Sequence, residues 1–538
     1  MEGEKTEILA SHDDMLSAGD IQENKLRLKY LELLESTDLQ GKYQKMHFIV
    51  TFFIAFSCCM TILMFPLQKV LPKYNCYNKL EFDDGKEYSD FKTNTKRYDI
   101  INNEQCIEDY CTTDHLENHG YGTIGYLVLV IDKASMYNWI TQLGVMCNFH
   151  GFFHTASFIA FVGNIIIPSC MAYIVSKTGR LMTFRLCLKI MLVVYIFFYF
   201  STSTYLTTLC CFLAYGFYYA YTLHSYMGTE FMSKSLGQFF IAFNNSAMPL
   251  SGIIYILLMY NFANWNVILV TNIIIFMVLI TMSHTVIKES PDYLLSIKKY
   301  DEFEEVAKYM ASFNGMEVEF EKVFQEVKKL RSEILITNIK NKDDDLGGFE
   351  NESKLLFFVN VLKQYLALFD TKGNVIKTFK FTLVYISMYI LFYGYLLNVE
   401  KMEGSVYVNL ALIFIGEFIS ENFAGALMQM FSTKQILLSM FSLCLGLCII
   451  LIFFSYIAII RVSLLFANAF AFSMAFVVVW SYTNDCYESN VKASAYSFLM
   501  NCSNLCVSSM QPVIELFPNP FYFFAIFSAI PIVVCFYL

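Results

Sequence analysis

The sequence predicts an all-α membrane protein with about twelve transmembrane helices in two halves of six. Of its 538 residues, 56% are hydrophobic and only 16% are charged, whereas a soluble domain carries about 25% charged residues. Apolar windows of about 19 residues recur along the chain, which is the length a helix needs to cross a bilayer. Because backbone groups in lipid must bond within their own segment, each window is expected to be helical.

The apolar windows divide the chain into four parts. A polar N-terminal tail, 1–45, precedes a six-helix bundle, 46–287, and a polar insert, 288–378, separates it from a second bundle, 379–538. In the first bundle the predicted spans are 46–67, 149–173, 185–203, 205–227, 237–260 and 264–287. In the second bundle they are 379–399, 405–428, 435–456, 461–483, 493–515 and 519–538.

Basic residues in the short loops set the orientation. They lie between spans two and three, four and five, eight and nine, and ten and eleven, at Lys177, Arg180, Lys234, Lys434 and Lys492. The positive-inside rule therefore predicts that both termini and the insert are cytoplasmic.

Helical patterns also occur in the cytoplasmic parts. Residues 24–45 are expected to form a surface helix or a solvated tail. In the insert, Ser290 and Pro291 suit the N-cap and first position of a helix, and Asn314-Gly315 suits a helix end. A further helix is expected over 317–336, followed by a charged linker at 340–348.

The loop between spans one and two, 68–145, is long and is expected on the exoplasmic side. Four cysteines are clustered in or beside it: Cys76, Cys106, Cys111 and Cys147. An even set on an oxidising side suggests two disulfides, with three possible pairings, and free thiols are the alternative. These cysteines favour the plasma membrane or an endomembrane over the mitochondrial inner membrane, with other organelle membranes left open.

The two halves carry similar residues at corresponding loops. The loop after span two holds Gly179-Arg180, and the loop after span eight holds Ser432-Thr433-Lys434. Glu230 after span four and Asp485 after span ten are separated by nearly the same step as Gly179 and Ser432. Repeated halves with a site between them are typical of secondary transporters.

Three stretches resemble one known family. They are 288–307, which begins Lys-Glu-Ser-Pro-Asp-Tyr-Leu-Leu; 393–417, which includes Tyr393-Gly394 and Glu417; and 482–492, which begins Tyr-Thr-Asn-Asp. The first is similar to the "ESPRWL" signature of the organic cation/anion transporters, a group within the major facilitator superfamily. The resemblance runs from about residue 46 to the C-terminus. It implies a major facilitator fold of two pseudo-symmetric halves that transports a small organic solute by alternating access.

The same resemblance assigns a gating motif to the cytoplasmic helix ends, at Gly179, Arg180, Glu230, Glu289, Asp485 and Lys492. The chain departs from the family in several of these loops. Ser176 and Leu181 replace an Asp and an Arg in the first half, and Gln429, Ser432 and Thr433 replace charged or glycine positions in the second. Because ion pairs of this kind bias a two-state equilibrium by a few kcal/mol, the conformational cycle is either tuned differently or lost.

Two carboxylates are the leading candidates for a binding site. Glu417 and Glu421 lie one turn apart on span eight and share a face. Ionisable residues inside spans are costly and are usually functional, although a structural hydrogen bond to a neighbouring helix is the alternative. The resemblance also places Glu417 near the central cavity.

Polar and aromatic residues of other spans complete the predicted binding site: Asn245, Asn501, Asn504, Tyr393 and Phe392. Each has a packing role as its alternative. At the position where the resembling family has a charge that selects cations or anions, this chain has Leu505.

The sequence shows no metal-ligand cluster, phosphate loop or nucleophile constellation, so neither an enzyme nor a cofactor is predicted. A net charge of −9 argues against a nucleic-acid partner. The predicted function is transport of an organic cation or zwitterion, because the predicted spans contain acids but few bases. The alternative is a transport-inactive accessory subunit of a larger membrane complex. The expected partners are membrane lipids and the solute, with other membrane subunits under the alternative.

Overall fold

A computed structural model describes residues 18–68, 70, 74–78, 127–131, 136–341, 366–402, 404–487, 489–517 and 519–537. Within these ranges the protein is almost entirely helical. The described part of the N-terminal half contains α1 (Ala18–Glu35), α2 (Lys42–Gln68), β1 (Tyr74–Asn78), β2 (Leu127–Ile131), α3 (Trp139–Leu143), α4 (Phe149–Thr178), α5 (Arg180–Phe200), α6 (Thr204–Phe217), α7 (Tyr219–Glu230), α8 (Lys234–Phe262) and α9 (Asn266–Thr285).

The insert and the C-terminal half follow. The insert contains α10 (Pro291–Ser296), α11 (Tyr300–Asn314) and α12 (Glu317–Asn341). The C-terminal half contains α13 (Lys372–Leu397), α14 (Val406–Met430), α15 (Thr433–Phe454), α16 (Ala458–Cys486), α17 (Ser489–Glu515) and α18 (Pro520–Tyr537). Short 3₁₀ turns occur at Met146–Asn148, Ala367–Phe369 and Val399–Lys401.

The predicted fold class is confirmed. Each of the twelve predicted windows falls on a helical segment, and nine segments of the described residues are long and apolar enough to cross a membrane. A further apolar helix, Pro520–Phe536, is shorter. The full count of twelve crossings stays a prediction.

Several helix ends differ from the predicted spans. Helix α5 begins at Arg180 rather than at 185, because Gly179 alone, at φ +94°, separates it from α4. Span four is broken at Tyr218 into α6 and α7. Helix α13 begins at Lys372 rather than at 379, because the Thr371 side chain accepts a hydrogen bond from the Asn374 N–H and caps the helix. Charged residues near these ends had excluded the first turns from the apolar windows.

In the described part of the chain, the two halves meet at several pairs of helices. Helix α8 packs on α14, α4 on α17 and α2 on α13. Helices α8 and α14 approach closely at a glycine, where a Cβ added to Gly252 would lie 2.8 Å from the Phe414 ring. Residues that face these pairs from either half are therefore brought to the junction between the halves.

The N-terminal tail contains a docked helix. Helix α1 packs against α12 of the insert, and the Tyr30 ring stacks on Tyr300 with centroids 4.9 Å apart. The Tyr30 hydroxyl donates to Glu304 at 2.8 Å, and Arg331 of α12 bridges Glu304 at 3.1 Å. Of the two expectations for this segment, the surface helix is the one observed. The linker predicted at 340–348 lies almost wholly outside the described residues.

Asn314, the last residue of α11, joins the insert to the chain before the first span. Its amide nitrogen donates to the carbonyl oxygens of Thr37 at 2.7 Å and Asp38 at 3.0 Å, and its amide oxygen accepts from the Tyr43 N–H at 2.8 Å. Helix α11 ends there because Gly315 adopts the left-handed conformation, at φ +79°. The predicted helix stop is thus observed, and its asparagine has a tertiary role.

We expect Asn314→Ala to release α1 from the insert. The change removes a group of hydrogen bonds worth about 1 kcal/mol each. The free energy of local opening should therefore fall by about 2 kcal/mol, and the population of the open state should rise about 30-fold. Amide hydrogen exchange over 18–45 measures this opening. Gln325→Ala, an exposed residue of the same unit, is the matched control, and equal exchange in the two variants would contradict the role given to Asn314.

The predicted exoplasmic loop is described only in part. Residues 74–78 and 127–131 form an antiparallel pair in which Tyr74 faces Ile131 and Asn78 faces Leu127. No strand had been predicted there, because the two five-residue segments are far apart in sequence. Of the candidate disulfide residues, Cys76 lies on β1, whereas Cys106 and Cys111 lie outside the described residues. Cys147 is disulfide-bonded, and the pairing among the four stays a prediction.

Candidate functional site

Two carboxylates of α14 lie in the interior. The Glu417 side chain is buried and Glu421 is half-buried, one turn further along the helix. Oε1 of Glu417 and Oε2 of Glu421 are each buried without a hydrogen-bond partner among the described residues. A buried acceptor left unsatisfied costs free energy, so these oxygens are suited to accept hydrogen bonds from a ligand or a water molecule.

These carboxylates lie at the junction between the halves. Helix α14 packs on α8 of the other half. A negative charge on Glu421 would act on the side chains of Cys59 on α2 and Tyr221 on α7, which therefore lie near it. The candidate site therefore has neighbours from both halves.

The polar residues of α7 and α8 beside this junction form a small network. The Tyr221 hydroxyl donates to the Asn244 carbonyl oxygen at 2.6 Å, and the Asn244 amide nitrogen donates to the Ser225 hydroxyl. The Asn244 amide oxygen is buried and has no partner among the described side chains. Asn245, the predicted site residue, is half-buried on the same helix. The sequence analysis selected Asn245, whereas the structure distinguishes its neighbour Asn244 by the unsatisfied oxygen.

The polar stripe of α17 is partly in the interior. Asn504 is buried, and its amide oxygen has no hydrogen-bond partner in the described part of the chain. Asn501, one turn earlier, is half-buried. Leu505, at the position where the resembling family reads charge, is 51% exposed and contributes no charge. Helix α17, which carries both asparagines, packs on α4 of the other half.

The two aromatic candidates occupy different environments. The Tyr393 ring makes an edge-on contact with Phe161 of α4, with centroids 5.1 Å apart, across the junction between the halves. Phe392 packs instead on Phe472 and Phe476 within the C-terminal half. The structure therefore brings Tyr393 to the junction and places Phe392 in the core of one half.

A charge cluster lies at the end of the N-terminal half that is predicted to be cytoplasmic. Arg180 forms an ion pair with Glu230, and Glu230 accepts a hydrogen bond from the Ser290 hydroxyl. Both carboxylate oxygens of Glu289 accept from the Leu181 N–H at 3.1 Å. Four of the predicted gating residues, Gly179 among them, thus lie together.

The shape and electrostatics of this cluster follow from close packing. A Cβ added to Gly179 would lie 2.6 Å from Oε2 of Glu289, so only glycine allows the carboxylate this near. Burial raises the pKa of Glu289 above its ordinary value, and the N–H donors of Ser290 and Leu181 oppose that shift. Burial also raises the pKa of Asp292, while nearby Arg180 lowers it. The cluster is therefore a tightly held network rather than a loose surface pair.

The matching end of the C-terminal half uses hydroxyl groups in the described part. Tyr385 and Thr483 share a hydrogen bond between their hydroxyls at 3.0 Å, and the Tyr487 hydroxyl donates to Thr378 at 3.1 Å. Lys377 donates to the Cys486 carbonyl oxygen at 3.0 Å. The side chains of the predicted gating residues Asp485 and Lys492 lie outside the described ones, so their roles stay predictions.

A histidine pair was not predicted as a site. His47 of α2 and His224 of α7 are fully buried and stacked, with ring centroids 5.5 Å apart. His224 Nδ1 lies 3.1 Å from the Thr51 hydroxyl, and both ring nitrogens of His47 are without a hydrogen-bond partner among the described residues. The sequence signal was a histidine at the start of the first apolar window, and only the fold shows that it meets His224.

Comparison with known proteins assigns the family. The family model described as Major Facilitator Superfamily matches residues 124–509, which is more than half of the chain. The chain belongs to the major facilitator superfamily. No curated protein matches it in sequence.

The fold of this facilitator-superfamily protein is similar to that of solved transporters. One is the proton:xylose symporter XylE bound to 6-bromo-6-deoxy-D-glucose, with a TM-score of 0.51 and 11% identity, covering 92% of this chain and 95% of that one. Another is XylE from E. coli in a partially occluded inward-open conformation, with a TM-score of 0.50 and 12% identity, covering 72% of this chain and 87% of that one. At this identity the likeness shows the fold alone.

The superfamily match and the long apolar helices both indicate a membrane protein. It is an integral multi-pass membrane protein, and it is related to transporters rather than to enzymes. The organic cation/anion group suggested by the sequence is a finer assignment that stays a prediction.

Proposed function

We propose that the chain is a secondary transporter that moves a small organic cation or zwitterion by alternating access. The observation that carries the proposal is the pair Glu417 and Glu421, whose buried oxygens lack partners among the described residues at the junction of the halves. A cationic group placed there would satisfy both acceptors and compensate their charge.

The surroundings of the carboxylates favour a positive group on the solute. Tyr221, Cys59 and Asn244 contribute no positive charge, and the Tyr393 ring could face an ammonium group. An anion would place like charges together in a site with little water, which is costly. The charge of the solute is thus inferred from this chain's own residues, and the sugar bound by XylE is a property of that protein.

The gating contacts support a cycle in which the N-terminal half is the more rigid partner. Its cytoplasmic end is held by the Arg180–Glu230 ion pair and by Glu289, whereas hydroxyl contacts occur at the corresponding end of the C-terminal half. The side chains of this ion pair are 26% and 17% exposed, so we expect breaking it to cost more than the roughly 1 kcal/mol of a neutral hydrogen bond. We therefore expect the C-terminal half to rearrange more readily during the cycle.

Uptake by the purified chain in liposomes tests the proposal. The probes are tetraethylammonium, carnitine, p-aminohippurate and xylose, which are a cation, a zwitterion, an anion and a neutral sugar. We expect the cation or the zwitterion to accumulate at least about 10-fold above protein-free liposomes, since 10-fold corresponds to about 1.4 kcal/mol of selectivity. Preferred uptake of the anion or the sugar, or uptake of none of the four, would reject the proposal.

A transport-inactive accessory subunit is the second candidate. The sequence favours it, because Gln429, Ser432 and Thr433 replace charged or glycine positions of the gating motif, and a protein that no longer cycles does not need charged gates. The native mass after mild solubilisation distinguishes the two: a monomer near 62.2 kDa plus its micelle supports a carrier, and stoichiometric migration with a large complex supports the subunit. For either function we propose the plasma membrane or an endomembrane, which the disulfide at Cys147 favours.

A further inference from the structure

Three basic side chains meet on the outer face of the N-terminal half. Arg185 and Lys189 lie one turn apart on α5, and His284 lies in the last turn of α9, which packs on α5. Arg185 donates from Nε at 2.8 Å and from Nη2 at 2.6 Å to the carbonyl oxygen of Ser283, next to His284. The positive charges of Arg185 and Lys189 act on the His284 ring and disfavour a third positive charge there, so His284 contributes a hydrogen-bond donor beside two cations. The helix packing therefore forms one basic cluster, defined here as Arg185, Lys189 and His284.

This cluster faces lipid rather than the junction between the halves. Lys189 and His284 are exposed, and Arg185 is half-exposed. Along α5 the same stripe presents Met182, Leu186 and Val193, which are 63%, 40% and 49% exposed. Large apolar side chains exposed on a membrane helix contact acyl chains, so the basic cluster borders the bilayer.

The depth of the cluster matches a lipid headgroup. Helix α5 begins at its cytoplasmic end with Arg180, and the Lys189 Cα lies about 13 Å further along the axis at 1.5 Å per residue. Side chains on a helix tilt toward its N-terminus, and a lysine extends its ammonium group to the interface. The Lys189 ammonium therefore points back toward Arg185 and His284, at the level of the cytoplasmic headgroups.

Protein carboxylates do not neutralise the cluster in the described part of the chain. Neither Lys189 nor His284 has an ion pair among the described residues. Glu289 attracts Arg185, but its oxygens already accept from the N–H groups of Leu181 and Ser290. The positive charge at the lipid boundary thus remains available to an external anion.

We propose that this cluster binds the phosphate headgroup of an anionic phospholipid in the cytoplasmic leaflet. Arg185, fixed by Ser283, orients the site and keeps N–H groups free for the phosphate, while Lys189 and His284 approach it from either side. The acyl chains would lie along the stripe of Met182 and Leu186. The proposal does not depend on which solute the protein moves, or on whether it moves one.

Native mass spectrometry of the full chain in mild detergent tests the site, with phosphatidylglycerol and phosphatidylcholine of identical acyl chains as the added lipids. We expect phosphatidylglycerol to bind at least about 5-fold more tightly than phosphatidylcholine, and each of Lys189→Gln and His284→Gln to weaken it about 5-fold. Lys434→Gln removes a basic residue at the cytoplasmic end of α15, away from the cluster, and should leave binding unchanged.

Three outcomes would overturn the proposal. They are equal binding of the two lipids, undiminished binding by both cluster variants, and an equal loss in Lys434→Gln. Addition of inorganic phosphate distinguishes the lipid from a soluble anion. If phosphate at millimolar concentration displaces all bound lipid, a phospholipid is not the preferred occupant. Each variant is first checked for an unchanged thermal midpoint, which we expect because both side chains are exposed.

Discussion

Glu417→Gln is expected to lower uptake of the preferred cation at least about 100-fold. The change keeps the size of the side chain and removes its ability to become a carboxylate when a cation binds. Loss of a charged partner from a buried site costs about 3 kcal/mol, which corresponds to this factor. The measurement is initial uptake in liposomes at matched protein density.

Stability separates a loss of binding from a loss of folding in this experiment. Neutralising a buried carboxylate that has an unsatisfied oxygen should leave the thermal midpoint unchanged or raise it. Glu321→Gln, an exposed carboxylate of the insert, is the matched control and should transport normally. Normal uptake by Glu417→Gln would remove this residue from the site, and Glu417 would then be a structural residue of α14.

Gly163→Ala should destabilise the N-terminal half by about 3 kcal/mol or more. A Cβ at this position of α4 would overlap the Phe212 carbonyl oxygen of α6. The obstacle is backbone, which cannot rotate away as a side chain does, so the two helices must separate. The measurement is the free energy of unfolding in detergent, together with the yield of monodisperse protein.

Gly446→Ala provides the control for this prediction. Gly446 lies within α15, and a Cβ there would meet nothing within 4 Å. Alanine is the better helix former, so this change should be neutral or stabilise by about 0.5–1 kcal/mol. Equal losses in the two variants would show that glycine at 163 is not needed for the approach of α4 to α6.

Local features of the sequence predicted much of the fold. Apolar windows located the membrane helices, because lipid imposes one length and one pattern on every span. Ser290-Pro291 and Asn314-Gly315 located helix ends, because their side chains and backbone act within a few residues. The docking of α1 could not be predicted, since it depends on Tyr300 and Glu304, which follow it by hundreds of residues.

Only part of the candidate site could be predicted, again because its residues come from segments far apart in sequence. The spacing of Glu417 and Glu421 on one helix showed that they share a face. The residues that meet them from the other half, such as Tyr221 and Cys59, become neighbours only when the halves pack. The buried pair of His47 and His224 is a similar case, because neither residue has a local signal for the other.

The hydrogen bonds of Asn314 to residues near the N-terminus affect when these parts of the protein can pack during synthesis. Asn314 and its partner Tyr43 are 271 residues apart, a length that a ribosome needs about 15 to 55 s to synthesise at about 5–20 residues per second. During that interval the helices of the N-terminal half emerge while the insert that contacts α1 has not yet been made. The insert can dock on α1 only after the N-terminal half is complete, and a nascent chain stopped before residue 314 would leave α1 open to chaperones and proteases.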